Sequence, residues 1–313
     1  MVDAYLEGLY RRGRGPLLAS LAGYTRRLAA LTNQRAYDLV WLEKELLPWL
    51  PAAFERMLRQ PYLVDYDDAI FHRYDQHPRA LVRWLLGNKI DLVMRRAQVV
   101  VVGNRYLADA ARRAGARELE IVPTSVDTQR YRPLAKDSGR NASGDFNVGW
   151  IGTPQTAPFL KTLTPVFERL HGSGGFRFTF IGVPAGLDVG VPYEAFPWTE
   201  SDEVSLLQRL DCGIMPLPDL PFERGKSGYK LIQYMACGLP VVASPVGENQ
   251  HIVREGVNGF LASQTDEWIA ALQGLRDAAD RGRALGMAGR EIVEATYDCR
   301  RNAKRIAALL RAA

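Results

Sequence analysis

Apolar positions along the first third of the chain come in short runs separated by segments of helical spacing. From Tyr37, "YDLVW" reads as a strand that passes into the mixed segment "LEKELLPWLP". In "AAFERMLRQ", Phe54, Met57 and Leu58 fall on one helical face. "PYLVDYDDAIF" reads as a strand led in by Pro61 and ending in acids, and "ALVRWLLGNKIDLVMRRA" as one helix with a nearly continuous apolar stripe. "QVVVVGN" is a fully buried strand, "RYLADAARRAGA" a helix stopped by Gly115, and "LEIVPTSVD" another short strand. Alternation of this kind predicts a parallel sheet covered by helices on both faces.

The pattern pauses at "RYRPLAKDSGRNASGD", which is polar, rich in Pro, Gly and Ser, and reads as a linker. It then restarts. "FNVGWIG", "FRFTFIGVP", "DCGIMPLP" and "PVVAS" read as strands. "TPQTAPFLKTLTPVFERLHGS" and "DEVSLLQRL" read as helices between them, and "NQHIVREGVNGFLA" as a short helix with a terminal turn. Long helices follow from Thr265, the predicted cap, with Glu267 nearby. The expected fold class is α/β, with two doubly wound domains. Their predicted bounds are 1–140, joined by a last helix at 297–313, and 141–296.

Length and composition fit this picture. The 313 residues suffice for two cores, and 47% hydrophobic with 24% charged residues is ordinary for a globular protein. No apolar run approaches the ~20 residues of a membrane-spanning helix, and "MVDAYLEGLYRRGRG" lacks the apolar centre of a signal peptide. Cys212, Cys237 and Cys299 are scattered without metal-ligand spacing, which predicts reduced thiols in a cytoplasmic protein and no metal. The net charge is +5, carried in part by pairs such as Arg11-Arg12, Arg95-Arg96 and Arg300-Arg301. No nucleic-acid-binding motif accompanies them, so nucleic acid is not an expected partner. Solvated helix surface explains the charge; so does attraction to anionic lipid head groups or to a phosphorylated substrate.

The stretch "GKSGYKLIQYMACGLPVVASPVG" carries the chemistry. Gly225 and Gly228 let backbone approach a ligand closely, free amides at a helix start favour an anion, and Lys226 and Lys230 add positive charge. It lacks the spacing of a P-loop. On these residues alone an anion site and a tight turn with solvated lysines both remain open.

"MACGLPVVASPVGENQHIVREGVNGFLA" resembles the nucleotide-binding half of GT-B glycosyltransferases, in particular the retaining family 4, also called group 1. "IVPTSVDTQRYRP" is similar to that family's Val-Asp-x-x-x-Phe-x-Pro signature, with Tyr131 as the aromatic. "VGWIGTPQT" and "FTFIG" match strands of its second domain. "YDLVWLEKELLPWLP" and "DYDDAIF" resemble a bacterial subgroup. The resemblance implies two Rossmann-like domains and transfer of a sugar from a nucleotide-diphosphate sugar to an acceptor hydroxyl, with retention and without metal. The donor then lies on the second domain, and helix N-termini and lysines meet its diphosphate. The implied acceptor is a carbohydrate or lipid-linked sugar of envelope polysaccharide or glycolipid synthesis. The implied place is the cytoplasm, at the inner face of the membrane.

Residue by residue, the resemblance gives Gly152, Thr153, Glu223, Lys226, Ser227, Gly228, Tyr229, Lys230 and Gln233 as donor-binding. The family carries two glutamates eight positions apart, the first on sugar hydroxyls and the second on the ribose. Here Gly225 and Gln233 stand in their places. Gln233 retains donors and an acceptor for a ribose; Gly225 has no side chain, and Glu223 is the nearest substitute. An Arg and a Lys after the second domain's first strand are replaced by the segment of Thr153, Gln155 and Thr156.

On the first domain, Asp67 falls where many relatives place a histidine. Asp67, with Asp68, is the catalytic candidate, stabilising oxocarbenium-like charge or taking the acceptor's proton; a strand-end turn and helix cap is the alternative. Glu43, Lys44 and Glu45 are acceptor-side candidates or a solvated helix start, and His72 reads as structural. Against the family's pattern, the 36 residues before Tyr37 are too few for the opening strands. The first domain is therefore expected to be incomplete, with an open sheet edge. A degenerate member that binds nucleotide or a partner protein is an alternative. A sugar-nucleotide epimerase on the same fold is another, which "SVDTQRYRP" argues against.

Overall fold

The structure, a computed structural model, describes residues 17–134 and 144–312. The segment "MVDAYLEGLYRRGRG" and most of the predicted linker lie outside the described residues. The chain forms two compact units. One holds the described residues up to Thr124, together with Leu220–Ser227 and the chain from Arg301; the other holds Ser125–Asp219 and Gly228–Arg300.

In the first unit, strands β1 (Val40–Glu43), β2 (Tyr62–Tyr66), β3 (Val99–Val102) and β4 (Leu119–Ile121) lie in that order and are all parallel. The four valines of β3 are buried, as a strand covered on both faces requires. Val64, Val100 and Val102 pack on one side with Ile90, Leu107 and Ala111. On the other side Leu63, Val99 and Val101 meet Ile306, Leu309 and Leu310 of the Cys299–Ala312 helix. The Arg105–Ala114 helix starts where the Asn104 side chain accepts from the Leu107 amide and stops at Gly115, left-handed at φ 82°. Among the described residues, β1 stands at one edge of this sheet.

Two expectations fail here. Ala52–Met57 is a 3-10 helix, so residues three apart share a face. Glu55 and Leu58 are therefore buried, while Phe54 and Met57 are exposed. The single helix expected from Ala80 is two, Ala80–Leu86 and Lys89–Arg96, separated at Gly87-Asn88. The break turns Lys89 into the interior and leaves Leu81 and Trp84 outside.

The second unit is built on six parallel strands: β5 (Phe146–Ile151), β6 (Phe176–Ile181), β7 (Glu194–Phe196), β8 (Cys212–Met215), β9 (Val241–Ala243) and β10 (Gly259–Leu261), in the order β10-β9-β8-β5-β6-β7. From β5 the chain winds outward through β6 and β7, then returns to β8 and winds the other way. β5 and β8 thus flank the reversal, where such sheets bind ligands at their carboxyl ends. β7 and β10 have three residues each, like β4 and β9, but lack the β-branched residues that mark those two, and the segment of β10 reads as a turn from sequence. The cap expected at Thr265 is also displaced by one residue: Gln264 caps the Thr265–Asp277 helix, in a capping box with Glu267.

The sequence places the domain boundary after residue 140, but residues 125–134 belong to the second unit. Val126 and Tyr131 are buried in its core, and Arg290 donates to the carbonyls of Thr128, Tyr131 and Ala236. No described helix is long and apolar enough to cross a membrane.

Candidate functional site

Beside the reversal in the second unit, Gly152 follows β5 directly. A Cβ there would lie 2.4 Å from the Trp150 ring and 2.8 Å from Cε of Lys230, so glycine leaves the gap through which Lys230 passes. The ammonium of Lys230 sits 5.3 Å from the centre of the buried Trp150 ring. Lys230 belongs to the first turn of the Tyr229–Ala236 helix, where the Leu231 and Ile232 amides donate back to the Gly228 carbonyl. Gly228 precedes it at φ 65°, and a Cβ there would strike Ile252 at 2.2 Å. Both facts demand glycine.

Tyr234 fixes the helix against the sheet. Its hydroxyl accepts from the Ile151 amide at 2.9 Å and donates to the Ile214 carbonyl at 3.3 Å. Its ring fills the space above Gly213, where a Cβ would lie 2.2 Å away. Thr153 and Thr156 close a turn on each other, with the Thr156 hydroxyl 3.2 Å from the Thr153 carbonyl.

Gln233 is 3% exposed. Its amide donates to the Tyr131 hydroxyl at 3.2 Å and to the buried carboxylate of Glu203. Arg130 approaches that carboxylate at 3.6 Å. Burial pushes the Tyr131 phenol well above its ordinary pKa, with Glu203 adding to the rise, so it stays a neutral donor. Burial likewise raises Tyr229, whose hydroxyl bonds Tyr131. Sequence reasoning missed Glu203, because a Glu in a short amphipathic helix reads as solvated surface.

Within the first unit, Lys44, Asp67 and Asn104 follow β1, β2 and β3 at the carboxyl end of the sheet. Lys44 sits at φ 65°, sparsely populated for a residue with a side chain, and its ammonium meets Asp67 at 2.7 Å. Partial burial works against the Lys44 charge; Asp67, then Asp68 and Glu43, outweigh it and hold the pKa above its usual value. Asp67 remains half exposed, and its carbonyl accepts from the Ser227 hydroxyl at 2.7 Å. Asp68 is partly buried in the turn that follows, and the short helix His72–Asp75 has no side-chain cap, so neither acid caps it.

Segment 220–227 lies on this unit. Asn104 donates to the Gly225 carbonyl at 2.8 Å, and the Lys226 ammonium stands 5.1 Å from the Phe222 ring centre. Glu223 lies in the one-turn helix Pro221–Arg224. A Cβ on Gly225 would fall 2.4 Å from the Ala69 Cβ, so the position that carries glutamate in the family pattern is closed to any side chain here.

The two acceptor-side glutamates part company. Glu43 is exposed, but Glu45 is a correction: it points inward. Its carboxylate accepts from the Lys89 ammonium at 2.6 Å and from the Tyr74 hydroxyl at 2.8 Å. Lys89 also meets Glu55 at 3.1 Å, and Glu55 accepts from the amides of Leu46 and Leu47. A buried ammonium has to be paired, and these carboxylates pair it. His72 is a clasp, with Nδ1 2.9 Å from Asp75 and Nε2 2.8 Å from the Tyr106 hydroxyl. Among the described residues, no three His, Cys, Asp or Glu side chains are grouped to hold a metal.

Residues 5–126 match the glycosyl transferase 4-like domain, and residues 159–277 match the glycosyl transferases group 1 family. A protein of Mycobacterium marinum named D-inositol 3-phosphate glycosyltransferase is 27% identical over 200 residues, 57% of this chain and 42% of its own length. The chain thus spans under half of that relative. Among solved structures, sucrose-phosphate synthase from Thermosynechococcus elongatus superimposes with TM-score 0.73 at 18% identity, over 91% of this chain and 75% of its own. The Anabaena protein HepE in complex with UDP gives TM-score 0.73 at 17% identity, over 92% and 82%. Those likenesses carry the fold, and the matched domains carry the kinship: the chain belongs to the GT-B glycosyltransferases of group 1, built from two Rossmann-like units.

Proposed function

We propose that this chain moves a glycosyl group from a nucleoside-diphosphate sugar to an acceptor hydroxyl, with retention of configuration. The observation that carries the reading is Lys230, threaded past Gly152 and Trp150 into the first turn of the Tyr229–Ala236 helix beside the β5–β8 reversal. A cation beside the positive end of a helix dipole suits a diphosphate. The Anabaena neighbour holds UDP, which makes uridine nucleotides the first donors to test. Gln233 serves the ribose through its network with Glu203. Asp67, steadied by Lys44, attends the acceptor hydroxyl, with Glu43 lining the acceptor side. The acceptor is a carbohydrate or a lipid-linked sugar, reached at the inner face of the membrane during envelope polysaccharide or glycolipid synthesis.

Calorimetry against UDP-, GDP- and ADP-sugars, followed by a turnover assay, tests this. Charge-assisted contacts contribute roughly 1.5–3 kcal/mol, so Lys230→Ala should weaken nucleotide binding at least ~10-fold with unchanged melting. Asp67→Asn should keep nucleotide affinity and lose about 100-fold in turnover. Unaltered affinity in the Lys230 variant sinks the donor site. A second reading, binding without transfer, is favoured by the closure of position 225, which denies the sugar a side-chain partner there. Tight donor binding with no turnover on any acceptor would select it.

A further inference from the structure

The Ala80–Leu86 helix turns its apolar face the wrong way for a core. Leu81, Trp84 and Leu85, at helical spacing i, i+3 and i+4, are 65%, 79% and 45% exposed, whereas Leu86 at 6% anchors the helix from behind. Exposed apolar stripes of this kind on a soluble unit mark a contact surface. A second exposed tryptophan adjoins the segment leading into it. Trp49 is 52% exposed, and its ring lies 5.9 Å from that of His77. Its position is built: the backbone sits at φ 63°, and its amide donates to the Tyr74 hydroxyl at 3.1 Å.

Charge identifies the partner. Arg79 and Arg83 are exposed beside the stripe, and residues 76–90 contain no acid. The Arg83 guanidinium donates to the carbonyls of His77 and Pro78 at 2.6 and 3.0 Å, which holds it on the lobe rather than free in solvent. Tryptophan and leucine at the level of the head groups, with arginines among them, is the composition of an interfacial helix. A second copy of the chain fits less well, because a two-fold contact on this face would bring the arginines of both copies together.

We propose that this lobe, Leu81, Trp84, Leu85 and Trp49 with Arg79 and Arg83, seats the first unit on an anionic lipid surface. The proposal extends the membrane side of the proposed function, and its readout needs neither nucleotide nor turnover. Trp49 also ends the loop that begins at Lys44, so a seated lobe brings bilayer to the loop that carries Lys44, the partner of Asp67.

The test is sedimentation of the full chain with vesicles of phosphatidylglycerol and phosphatidylcholine, against vesicles of phosphatidylcholine alone. Binding is expected to the anionic vesicles only and to fall with salt. The double variant Leu81→Ser, Trp84→Ser should lose at least about tenfold in partitioning with its melting unchanged, since both side chains are solvated. Arg79→Gln with Arg83→Gln, which leaves the stripe intact, should lose about tenfold and flatten the salt dependence. Lipids brominated on the acyl chain should quench tryptophan fluorescence, and less so in Trp84→Phe. Absence of vesicle binding by the full chain, equal binding by the serine variant, or dimerisation abolished by that variant without vesicle binding would each overturn the proposal.

Discussion

The loop after β1 in the first unit is held by charge. Lys89 sits among Glu45, Glu55 and the Leu47 carbonyl, with Tyr74 completing the shell, and the backbone tolerates left-handed conformations at Lys44 and Trp49. The turn into the Tyr229–Ala236 helix of the second unit is held by close packing instead. Glycines at 152, 213 and 228 leave room for Trp150, Tyr234 and Ile252, and Tyr234 ties the helix to β5 and β8. Packing tolerates small losses, because neighbours relax. A buried charge network does not, because removing one partner strands the others in a medium that cannot solvate them.

The largest effect should therefore come from the first unit. Lys89→Met keeps length and removes the ammonium, leaving two buried carboxylates; breaking such a network costs about 3–5 kcal/mol. Denaturant unfolding measures it, and adding Glu45→Gln and Glu55→Gln should recover part of the loss. A Lys89→Met protein as stable as the parent would remove the contrast between the units.

Next comes Glu203, buried in the second unit. Gln233→Glu sets a carboxylate against it, replacing a charge-assisted hydrogen bond with a repulsion, for a loss of roughly 1.5–3 kcal/mol. Glu203→Gln in the same chain should restore stability. If Gln233→Glu melts like the parent, the Glu203 contact is not what holds position 233.

Gly213→Ala probes packing alone. Its methyl group would overlap the buried Tyr234 ring, and overpacking of this kind costs about 1–3 kcal/mol. Because the ring carries the helix, donor affinity should drop with stability, whereas salt should leave the effect unchanged. The smallest signal is chemical. Burial pushes the Cys237 thiol up to about 12 and raises Cys212 further, while Cys299 is partly accessible. A thiol reagent at neutral pH should label Cys299 and spare the other two until unfolding, as mass spectrometry of the peptides will tell.

The same contrast explains what is legible in the sequence. Glycines and continuous valine runs advertise packing, so β3, β5, β8, the 225–236 turn and the two-unit α/β architecture follow from residue type and order. A polar network advertises nothing: Glu45, Glu55, Lys89 and Glu203 look like surface until the fold buries them. Glu45 therefore reads as an acceptor-side residue although it faces the interior. Short strands without β-branched residues, such as β7 and β10, carry no signal, whereas the equally short β4 and β9 are marked by isoleucine and valine. The 52–57 segment misleads because its face repeats every three residues rather than every 3.6. His72 reads as structural, yet its partners, Asp75 and Tyr106, cannot be paired with it from spacing alone.

Gly225 has a consequence for descent. Restoring the glutamate expected at that position is not a single step, because its Cβ would meet the Ala69 side chain at 2.4 Å. Trimming Ala69 to glycine first would not open the way, since the Ala69 backbone nitrogen and Cα lie 3.0 and 3.2 Å from the same point. The main chain from Asp68 to Ile70 would have to move before the substitution became tolerable. This arrangement is thus separated from the glutamate of the family pattern by an epistatic barrier. Swapping individual residues from a relative will fail to cross it; exchanging the 67–71 and 220–228 segments together is the smallest graft with a path back.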